Sequence, residues 1–304
     1  MDYTPRLHPG SARSESARPE ALIGPVEAPA VHVMSWNIRR RISRPSLKAA
    51  DRWPQRAPRL RRLLAAERPT VVGVQEALAD QAFVVQESLG ERYRMLGRGR
   101  GTAGRGEGNP IIYDASRLEL LDWEQFALSK RPRKAGSRSW GSVYPRIMVS
   151  ATFRDLSTGR SFLAINTHLD HISAPARLRA ARMLRKAVTG SGLPVIITGD
   201  FNAAAEAPPL RELQSGELLL DTWAAARRHL SPEWDTLARY HPPTVSGARI
   251  DWILCSPSFQ VSSAAINAVR HCGGWASDHL PVQAVLRLAG WPRGSRSGCS
   301  RSWC

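Results

Sequence analysis

The sequence predicts an α/β or α+β domain in which two β-sheets pack face to face with helices on the outside. Apolar runs rich in β-branched residues alternate along the chain with Arg/Ala/Leu-rich stretches of helical period. The strand candidates are too numerous for one comfortable open sheet. At 304 residues the chain is also long enough to bury a large core.

Each strand is predicted from a short apolar run bounded by turn residues. The strand candidates are Val31–Ile38, Thr70–Gln75, Tyr93–Leu96, Pro110–Tyr113, Leu118–Leu128, Arg146–Arg154, Ser161–Thr167, Pro194–Gly199, Arg249–Cys255, Gln260–Ala268 and Pro281–Leu286. Antiparallel hairpins are expected for Leu118–Leu128 and for the pair Arg146–Arg154 with Ser161–Thr167. The helix candidates, the last being the weakest, are Pro58–Glu67, Ala79–Leu89, Ala174–Val188, Pro209–Gly216 and Leu220–His229.

The two ends of the chain differ in composition from the middle. Residues 1–30 are rich in Pro, Ala, Ser, Arg and Glu without an apolar period, which predicts a disordered leader. Residues 31–289 form the predicted domain, and residues 290–304 a basic flexible tail. No secretory signal and no transmembrane segment is visible, so we expect a cytoplasmic monomer, with secretion left open.

The chain is strongly basic, with a formal net charge of +17. Such a charge favours nucleic acid, phosphorylated substrates or acidic lipid as partners. Only Lys48, Lys130, Lys134 and Lys186 are lysines among the 43 basic residues, so an arginine-rich codon background is an equally good explanation.

The four cysteines are too few and too scattered for a disulfide scaffold, and no CxxC zinc pattern occurs. Cys255 lies in an apolar run and is predicted to be a small buried hydrophobic residue. Cys299 and Cys304 could pair across the tail if the protein is secreted.

Polar residues that suit phosphate chemistry stand at the ends of the apolar runs. They are Asn37 in VHVMSWNIRR, Glu76 in VVGVQEAL, His168 in FLAINTHLDH, Asp200 and Asn202 in PVIITGDFNA, Asp251 in RIDWILCS, and Asp278 and His279 in ASDHLPV. If extended geometry continues, Asp200 and Asn202 project to one side of their strand.

Any one of these residues has an ordinary structural explanation. An Asp or Asn at a strand end usually closes a turn, Glu76 could cap the helix after it, and a single histidine is more often structural. Together they supply oxygen ligands for Mg²⁺, a group to orient water, and donors for a charged transition state. The joint occurrence therefore favours metal-dependent phosphate chemistry.

The motifs SWNI, VQE, NTHLDH, GDFN, IDWIL and SDH, in that order, resemble the endonuclease/exonuclease/phosphatase superfamily over about residues 31–288. The resemblance implies a four-layer α-β-β-α sandwich with the active site at one end, and hydrolysis of a phosphate ester by in-line attack of water. The motif spacing is most similar to compact bacterial members related to the catalytic domain of the carbon-catabolite-repressor deadenylases.

The resemblance also implies a role for each matching residue. Glu76 is the expected principal Mg²⁺ ligand, with Asn37 and Asp278 as further ligands and Mn²⁺ as a possible substitute. Asn202 and His168 would donate to the phosphate, while Asp251 would hold His279 in one tautomer and favour its protonated form. Asp200 would orient and deprotonate water, although either Asp200 or His279 could be the general base.

Three further features are weaker candidates. Arg146 could contact a substrate phosphate or be structural, and Asp170 and His171 are not assigned to catalysis. The glycine-rich segment 97–110 lacks the Lys-Ser/Thr ending of a P-loop, so a flexible basic loop near the substrate is preferred to a phosphate cradle.

The expected function is a nuclease that acts on RNA or DNA as an exonuclease or endonuclease, with RNA or single-stranded DNA preferred. Ala248–Trp252 breaks the pattern of the inositol 5-phosphatases, which disfavours that group. The alternatives are a sphingomyelinase-type phospholipase, a phosphatase of the same superfamily, and a non-catalytic nucleic-acid-binding module.

Overall fold

The computed structural model describes residues 21–42 and 49–289. Its strands and helices follow the alternation predicted from the sequence. In chain order they are β1 (Val31–Asn37), α1 (Trp53–Glu67), β2 (Val71–Gln75), α2 (Ala79–Leu89), β3 (Tyr93–Leu96), β4 (Ile111–Asp114), β5 (Leu118–Ala127), β6 (Ile147–Asp155), β7 (Ser161–His168), α3 (Ala174–Ser191), β8 (Val195–Asp200), α4 (Pro208–Gln214), β9 (Leu220–Asp221), α5 (Thr222–Ala225), β10 (Asp251–Cys255), β11 (Phe259–Ile266) and β12 (Val282–Leu288).

The strands form two six-stranded mixed sheets. The first has the order β11-β12-β1-β2-β4-β3 and the second the order β5-β6-β7-β8-β10-β9. Each sheet has one parallel pair at its centre, β1 with β2 and β7 with β8, and its other neighbours are antiparallel. With the helices outside, this confirms the predicted four-layer α-β-β-α sandwich.

The period of two along the strands explains why the sheets stack. In β1, Val31 and Val33 belong to the apolar core between the sheets. The alternate residues Met34 and Trp36 pack on the helix side, in a cluster that includes Leu60 of α1. The same alternation places the α3 and α4 side chains against the outer face of the second sheet. Each sheet therefore buries both faces.

Two helix predictions need correction. Helix α1 begins at Trp53 rather than Pro58, because Pro54 stands in the first turn, where its missing N–H has no intrahelical partner to lose. The candidate Leu220–His229 is wrong as a single helix. It holds the short strand β9, which pairs with β10, and one helical turn whose N-cap is Asp221.

Residues 21–30, which the composition assigns to the leader, are part of the folded domain. The backbone N–H groups of Leu22, Ile23 and Gly24 donate to the carboxylate of Glu67, at 2.7, 3.1 and 2.9 Å. Glu67 is only 1% exposed and also accepts from the Asn267 amide. Residues 1–20 and the predicted tail, with Cys299 and Cys304, lie outside the described residues.

The prediction for Cys255 is confirmed, since its side chain is buried in the core between the sheets. Burial raises the pKa of this thiol to about 12. Among the described residues, no helix is both long and apolar enough to cross a bilayer.

The packing of the two sheets can be tested at Gly73 in β2, where the sheets approach each other closely. A Cβ at Gly73 would overlap Thr198 Oγ1 and lie 2.7 Å from the Asn166 side chain. We expect Gly73→Ala to lower the free energy of unfolding by about 2–3 kcal/mol through overpacking. Urea denaturation measures the change.

The matched control is Gly190→Ala in α3, where a Cβ would meet no atom within 4 Å. This substitution should raise the free energy of unfolding by about 0.5–1 kcal/mol, since alanine is the better helix former. Equal effects at the two glycines would contradict the packing described for the sheets.

Candidate active site

The predicted site residues meet at one end of the sandwich because of strand direction. In the second sheet, His168 and Asp251 are the cross-strand neighbours of Asp200, on β7 and β10 respectively. In the first sheet, Asn37 is the last residue of β1 and pairs with Gln75 of the parallel strand β2, the residue before Glu76. Alternation places these four side chains on the faces that look toward each other.

Asn37 links the two sheets at this end. Its Nδ2 donates to Glu76 Oε1 at 3.1 Å and to Asp200 Oδ2 at 3.0 Å. Its Oδ1 accepts from the Arg39 N–H at 2.9 Å. Asn37 is fully buried, so the amide fixes the separation of the two carboxylates.

Glu76 follows β2 in a left-handed backbone conformation with φ of 60°. It caps no helix, because Oε2 accepts from the Arg40 N–H at 3.1 Å and α2 begins at Ala79 after Leu78. Burial alone would raise the pKa of Glu76. The hydrogen bonds from Asn37 and Arg40, together with nearby positive charge, outweigh burial and lower the pKa, so the carboxylate is ionised.

Asp251 and His279 form a buried pair. His279 Nδ1 lies 2.8 Å from Asp251 Oδ2, while His279 Nε2 lies 3.9 Å from Asp200 Oδ2. Burial alone would lower the pKa of His279, but the charge and hydrogen bond of Asp251 outweigh it and raise the pKa to about 10. A protonated imidazole therefore faces Asp200.

Asp200 is a carboxyl group with a strongly perturbed pKa. Burial and then the charge of Asp251 raise its pKa to about 7, against the opposing effect of His279. A carboxyl whose pKa lies near neutrality is suited to accept a proton during a reaction.

Asn202 lies at the site, but its backbone conformation differs from the extended one considered in the sequence analysis. Extended geometry stops at Asp200, and Asn202 adopts a left-handed conformation with φ of 48°. Asp200 Oδ1 accepts from the Asn202 N–H at 2.9 Å, which closes an Asx-turn. This turn brings Asn202 Nδ2 to 3.1 Å from His168 Nε2, so the two residues are neighbours after all.

His168 is neutral in this environment. Burial, followed by the charge of Arg146, holds its pKa well below the ordinary value. Its Nε2 lies 3.5 Å from Asp200 Oδ2, while Nδ1 has no partner among the described residues.

The donor set around Glu76 suits a hard divalent cation. Carboxylate and amide oxygens are the ligands that Mg²⁺ and Mn²⁺ prefer. Asp278 lies at the same end, with Oδ2 3.7 Å from Arg39 Nε. The tightest group of possible ligands is instead Asp200, Asp251 and His279, whose donor atoms lie within 4.8 Å of one another. Because His279 is protonated and bonded to Asp251, this group is a poorer cation site than Glu76 and its neighbours.

Arg146 lies beside the site, one strand beyond His168. Its Nη2 is 2.7 Å from His171 Nδ1, and its Nε is 3.7 Å from Asp170 Oδ2. Asp170 in turn accepts from Ser142 Oγ at 2.6 Å and from two backbone N–H groups, so it anchors a loop. The structure therefore gives Asp170 and His171 a supporting position that the sequence did not indicate.

The glycine-rich segment forms a loop with hydrogen bonds between its own backbone groups. Arg100 N–H donates to the Glu107 carbonyl at 2.7 Å, and Gly101 N–H donates to the Arg105 carbonyl at 2.9 Å. Glycine is required at position 99 because a Cβ there would overlap the Gly104 carbonyl. Arg100 is paired with the Glu107 carboxylate at 3.0 Å.

A comparison of the sequence with known protein families identifies the family of this chain. The profile described as "Endonuclease/Exonuclease/phosphatase family" matches residues 34–279, which include every predicted site residue. The chain belongs to this family. Its members are phosphate-ester hydrolases.

Solved structures of family members match nearly the whole domain. An endonuclease/exonuclease/phosphatase family protein from Bacteroides thetaiotaomicron is 28% identical, with a TM-score of 0.79, and the match covers 85% of this chain and 98% of that one. A Bacteroides vulgatus relative is 30% identical with a TM-score of 0.77, covering 85% and 99% of the two chains. A mannosyl-6-phosphatase from Bacteroides thetaiotaomicron is 28% identical with a TM-score of 0.77, covering 84% and 99%.

Among curated proteins, the chain is similar to "Protein angel" of Drosophila melanogaster. The two are 25% identical over 169 residues, or 53% of this chain. The match spans 47% of that protein, about half of its length.

Proposed function

We propose that this enzyme is a Mg²⁺-dependent phosphodiesterase that cleaves nucleic acid by in-line attack of water. The observation that carries the proposal is that Asn37 bridges Glu76 and Asp200 while His279 faces the same Asp200 oxygen. A group for the metal, a group for water and a cationic donor thus lie around one small space.

In the proposed reaction, Asp200 removes a proton from the attacking water as the new P–O bond forms and the ester P–O bond breaks. The protonated His279, held by Asp251, stabilises the negative charge that builds on the phosphate. His168 and Asn202 bind the non-bridging oxygens. Water attacks directly, so no covalent enzyme intermediate is formed.

Glu76, Asn37 and Asp278 are the residues proposed to hold the metal. A bound Mg²⁺ or Mn²⁺ would supply Lewis-acid stabilisation of the phosphate and of the leaving oxygen. Glu76 and Asp278 both lie beside Arg39, so two carboxylates meet in one place, which favours a divalent ion there.

Nucleic acid is supported as the substrate by positive charge around the site. Arg39 and Arg40 closely follow Asn37 in the chain. Arg146 and Arg100 lie near enough to His168 that their charges, after burial, lower its pKa. Together with the net charge of +17, these arginines provide contacts for a phosphate backbone.

A sugar-phosphate phosphatase is the second candidate. The observation that favours it is the 28% identity to a solved mannosyl-6-phosphatase over nearly the whole domain. A single phosphomonoester would need the same metal, water and donor groups, so the catalytic residues do not separate the two functions.

A substrate panel tests the proposal. Purified protein with Mg²⁺ or Mn²⁺ is expected to cleave oligoribonucleotides or single-stranded DNA, and excess chelator should abolish cleavage because the metal stabilises the transition state. Mannose 6-phosphate and other sugar phosphates measure the phosphatase alternative, and sphingomyelin liposomes the phospholipase alternative.

The panel also has outcomes that contradict the proposal. Release of phosphate from sugar phosphates with intact oligonucleotides would favour the phosphatase. Salt-dependent binding of nucleic acid without any turnover would indicate a binding module. Cleavage that persists in chelator would refute the metal dependence.

A further inference from the structure

A cluster of cationic and aromatic side chains lies beside the candidate active site. It consists of Arg100, Tyr144, Arg146 and His171, and we call it the arginine pocket. The guanidinium of Arg100 lies over the Tyr144 ring at 5.3 Å, and that ring stacks on His171 with centroids 6.0 Å apart. His171 in turn contacts Arg146 Nη2 at 2.7 Å.

Arg146 has hydrogen-bonding capacity that the described residues do not use. It is only 4% exposed, yet its Nε and Nη1 atoms have no hydrogen-bond partner among them. Its nearest carboxylate, Asp170, lies 3.7 Å from Nε and is occupied by Ser142 and two backbone N–H groups. Buried guanidinium N–H groups without hydrogen-bond partners destabilise the folded protein. An anion bound here would accept hydrogen bonds from Arg146 and remove that destabilisation.

The position of the pocket separates it from the phosphate that reacts. Arg146 precedes β6, which neighbours β7, and β7 neighbours β8 with Asp200 at its end. Two strand spacings amount to about 10 Å between the backbones of Arg146 and Asp200. His168, whose pKa Arg146 lowers more than any other charge does, stands between them.

Arg100 reaches the arginine pocket from the loop between β3 and β4 of the first sheet. Its Nη2 lies 3.0 Å from Glu107 Oε2, and Glu107 Oε1 lies 3.0 Å from Arg40 Nη1. One carboxylate thus orients two guanidinium groups. Arg40, Arg100 and Arg146 face the two carboxylates Glu107 and Asp170, which leaves one positive charge in excess. Guanidinium forks match phosphate oxygens better than any other side chain does.

We propose that the arginine pocket binds a second phosphate of the substrate, next to the one that is hydrolysed. The inference rests on the proposed function and narrows its substrate class. The enzyme acts on polynucleotide segments that carry two neighbouring phosphates, and compounds with one phosphate leave the pocket unfilled. Arg100, Arg146 and His171 are specificity residues in this account.

Ligand binding in the presence of chelator tests the pocket without any turnover. Isothermal titration compares adenosine 3′,5′-bisphosphate with the 3′- and 5′-monophosphates. We expect the bisphosphate to bind the wild type at least ~10-fold more tightly, in line with the strength of charge-assisted hydrogen bonds. Arg146→Met and Arg100→Gln should each remove most of this preference for the bisphosphate over the monophosphates.

The matched control is Arg154→Gln, because Arg154 lies at the far end of β6 and, within residues 21–42 and 49–289, forms its ion pair with the half-exposed Glu119. It should retain the full preference for the bisphosphate. Circular dichroism checks folding, and if Arg146→Met fails to fold, Arg100→Gln, with its more exposed side chain, decides alone.

Several results would overturn the inference. These are an affinity ratio near one in the wild type, no binding of the bisphosphate, or variants that weaken all three ligands equally, which would place the arginines on the reacting phosphate. The proposed function fails separately, since it requires only that the wild type cleave diesters with metal. An enzyme that cleaves diesters but shows no preference for two phosphates refutes the pocket alone.

Discussion

Asp200→Asn is expected to lower kcat by ~10²–10⁴-fold on any substrate that the wild type hydrolyses. The substitution keeps the shape of the side chain but removes the group that accepts the proton from water. Because burial and Asp251 raise the pKa of Asp200 to about 7, its charge is unfavourable in the folded state above that pH. The activity loss should therefore come without a loss of stability, and the free energy of unfolding at pH 8 should equal or exceed that of the wild type.

Asp155→Asn is the matched control for this change. Asp155 is equally buried but ends β6 at the opposite end of the sandwich, where its carboxylate accepts from Ser157 and Thr158. Here we expect reduced stability, measured by urea denaturation, with kcat unchanged. If Asp200→Asn keeps more than about a tenth of the wild-type activity, Asp200 is not the base.

Asp251→Asn is expected to show a second large effect, and one that depends on pH. Asp251 holds His279 protonated and correctly oriented, so its loss should lower kcat by ~10²–10⁴-fold. The pKa of His279 is about 10 in the folded state, above the ordinary value of 6.5. The stabilisation from this pair is thus complete below pH 6.5 and is lost as the pH rises through 10.

The pH dependence can be measured as the difference in unfolding free energy between wild type and Asp251→Asn. We expect the wild type to be more stable by about 2 kcal/mol or more at pH 7.5, and the difference to shrink by pH 10.5. Titration of the His279 ring by NMR gives an independent value. A difference that stays constant or grows with pH would show that His279 is neutral in the folded protein.

Most of the fold could be predicted from the sequence because strands that are buried on both faces of a sheet appear as nearly continuous apolar runs. The apolar runs that end in Asn37, His168 and Asp200 are strands whose alternate side chains fill two different cores. His168 and Asp200 meet because the parallel neighbours β7 and β8 finish at one edge, whereas Asn37 comes from the other sheet and meets Asp200 across the sandwich. The motif resemblance then supplied the four-layer arrangement and the position of the site at one end.

What the sequence did not predict depends on contacts between distant segments. Composition cannot show that the backbone near Gly24 is held by the buried Glu67 carboxylate, which is far along the chain. The sequence offered a turn closed by an Asp at a strand end only as a structural explanation, and Asp200 makes such a turn. The local pattern could not show that this turn brings Asn202 to His168. Arg100 and His171 could not be singled out from so many arginines and histidines until the fold brought them to Arg146.

Divalent-cation binding tests the central claim most directly, namely that side chains from separate strand ends assemble one metal-dependent phosphate site. Titration of the folded protein with Mn²⁺, followed by electron paramagnetic resonance, is predicted to reveal a saturable site in the wild type. The site should be lost in Glu76→Gln and kept in the surface control Glu119→Gln, whose carboxylate pairs with Arg154 on the edge of the second sheet. Equal Mn²⁺ binding by wild type and Glu76→Gln would contradict the account.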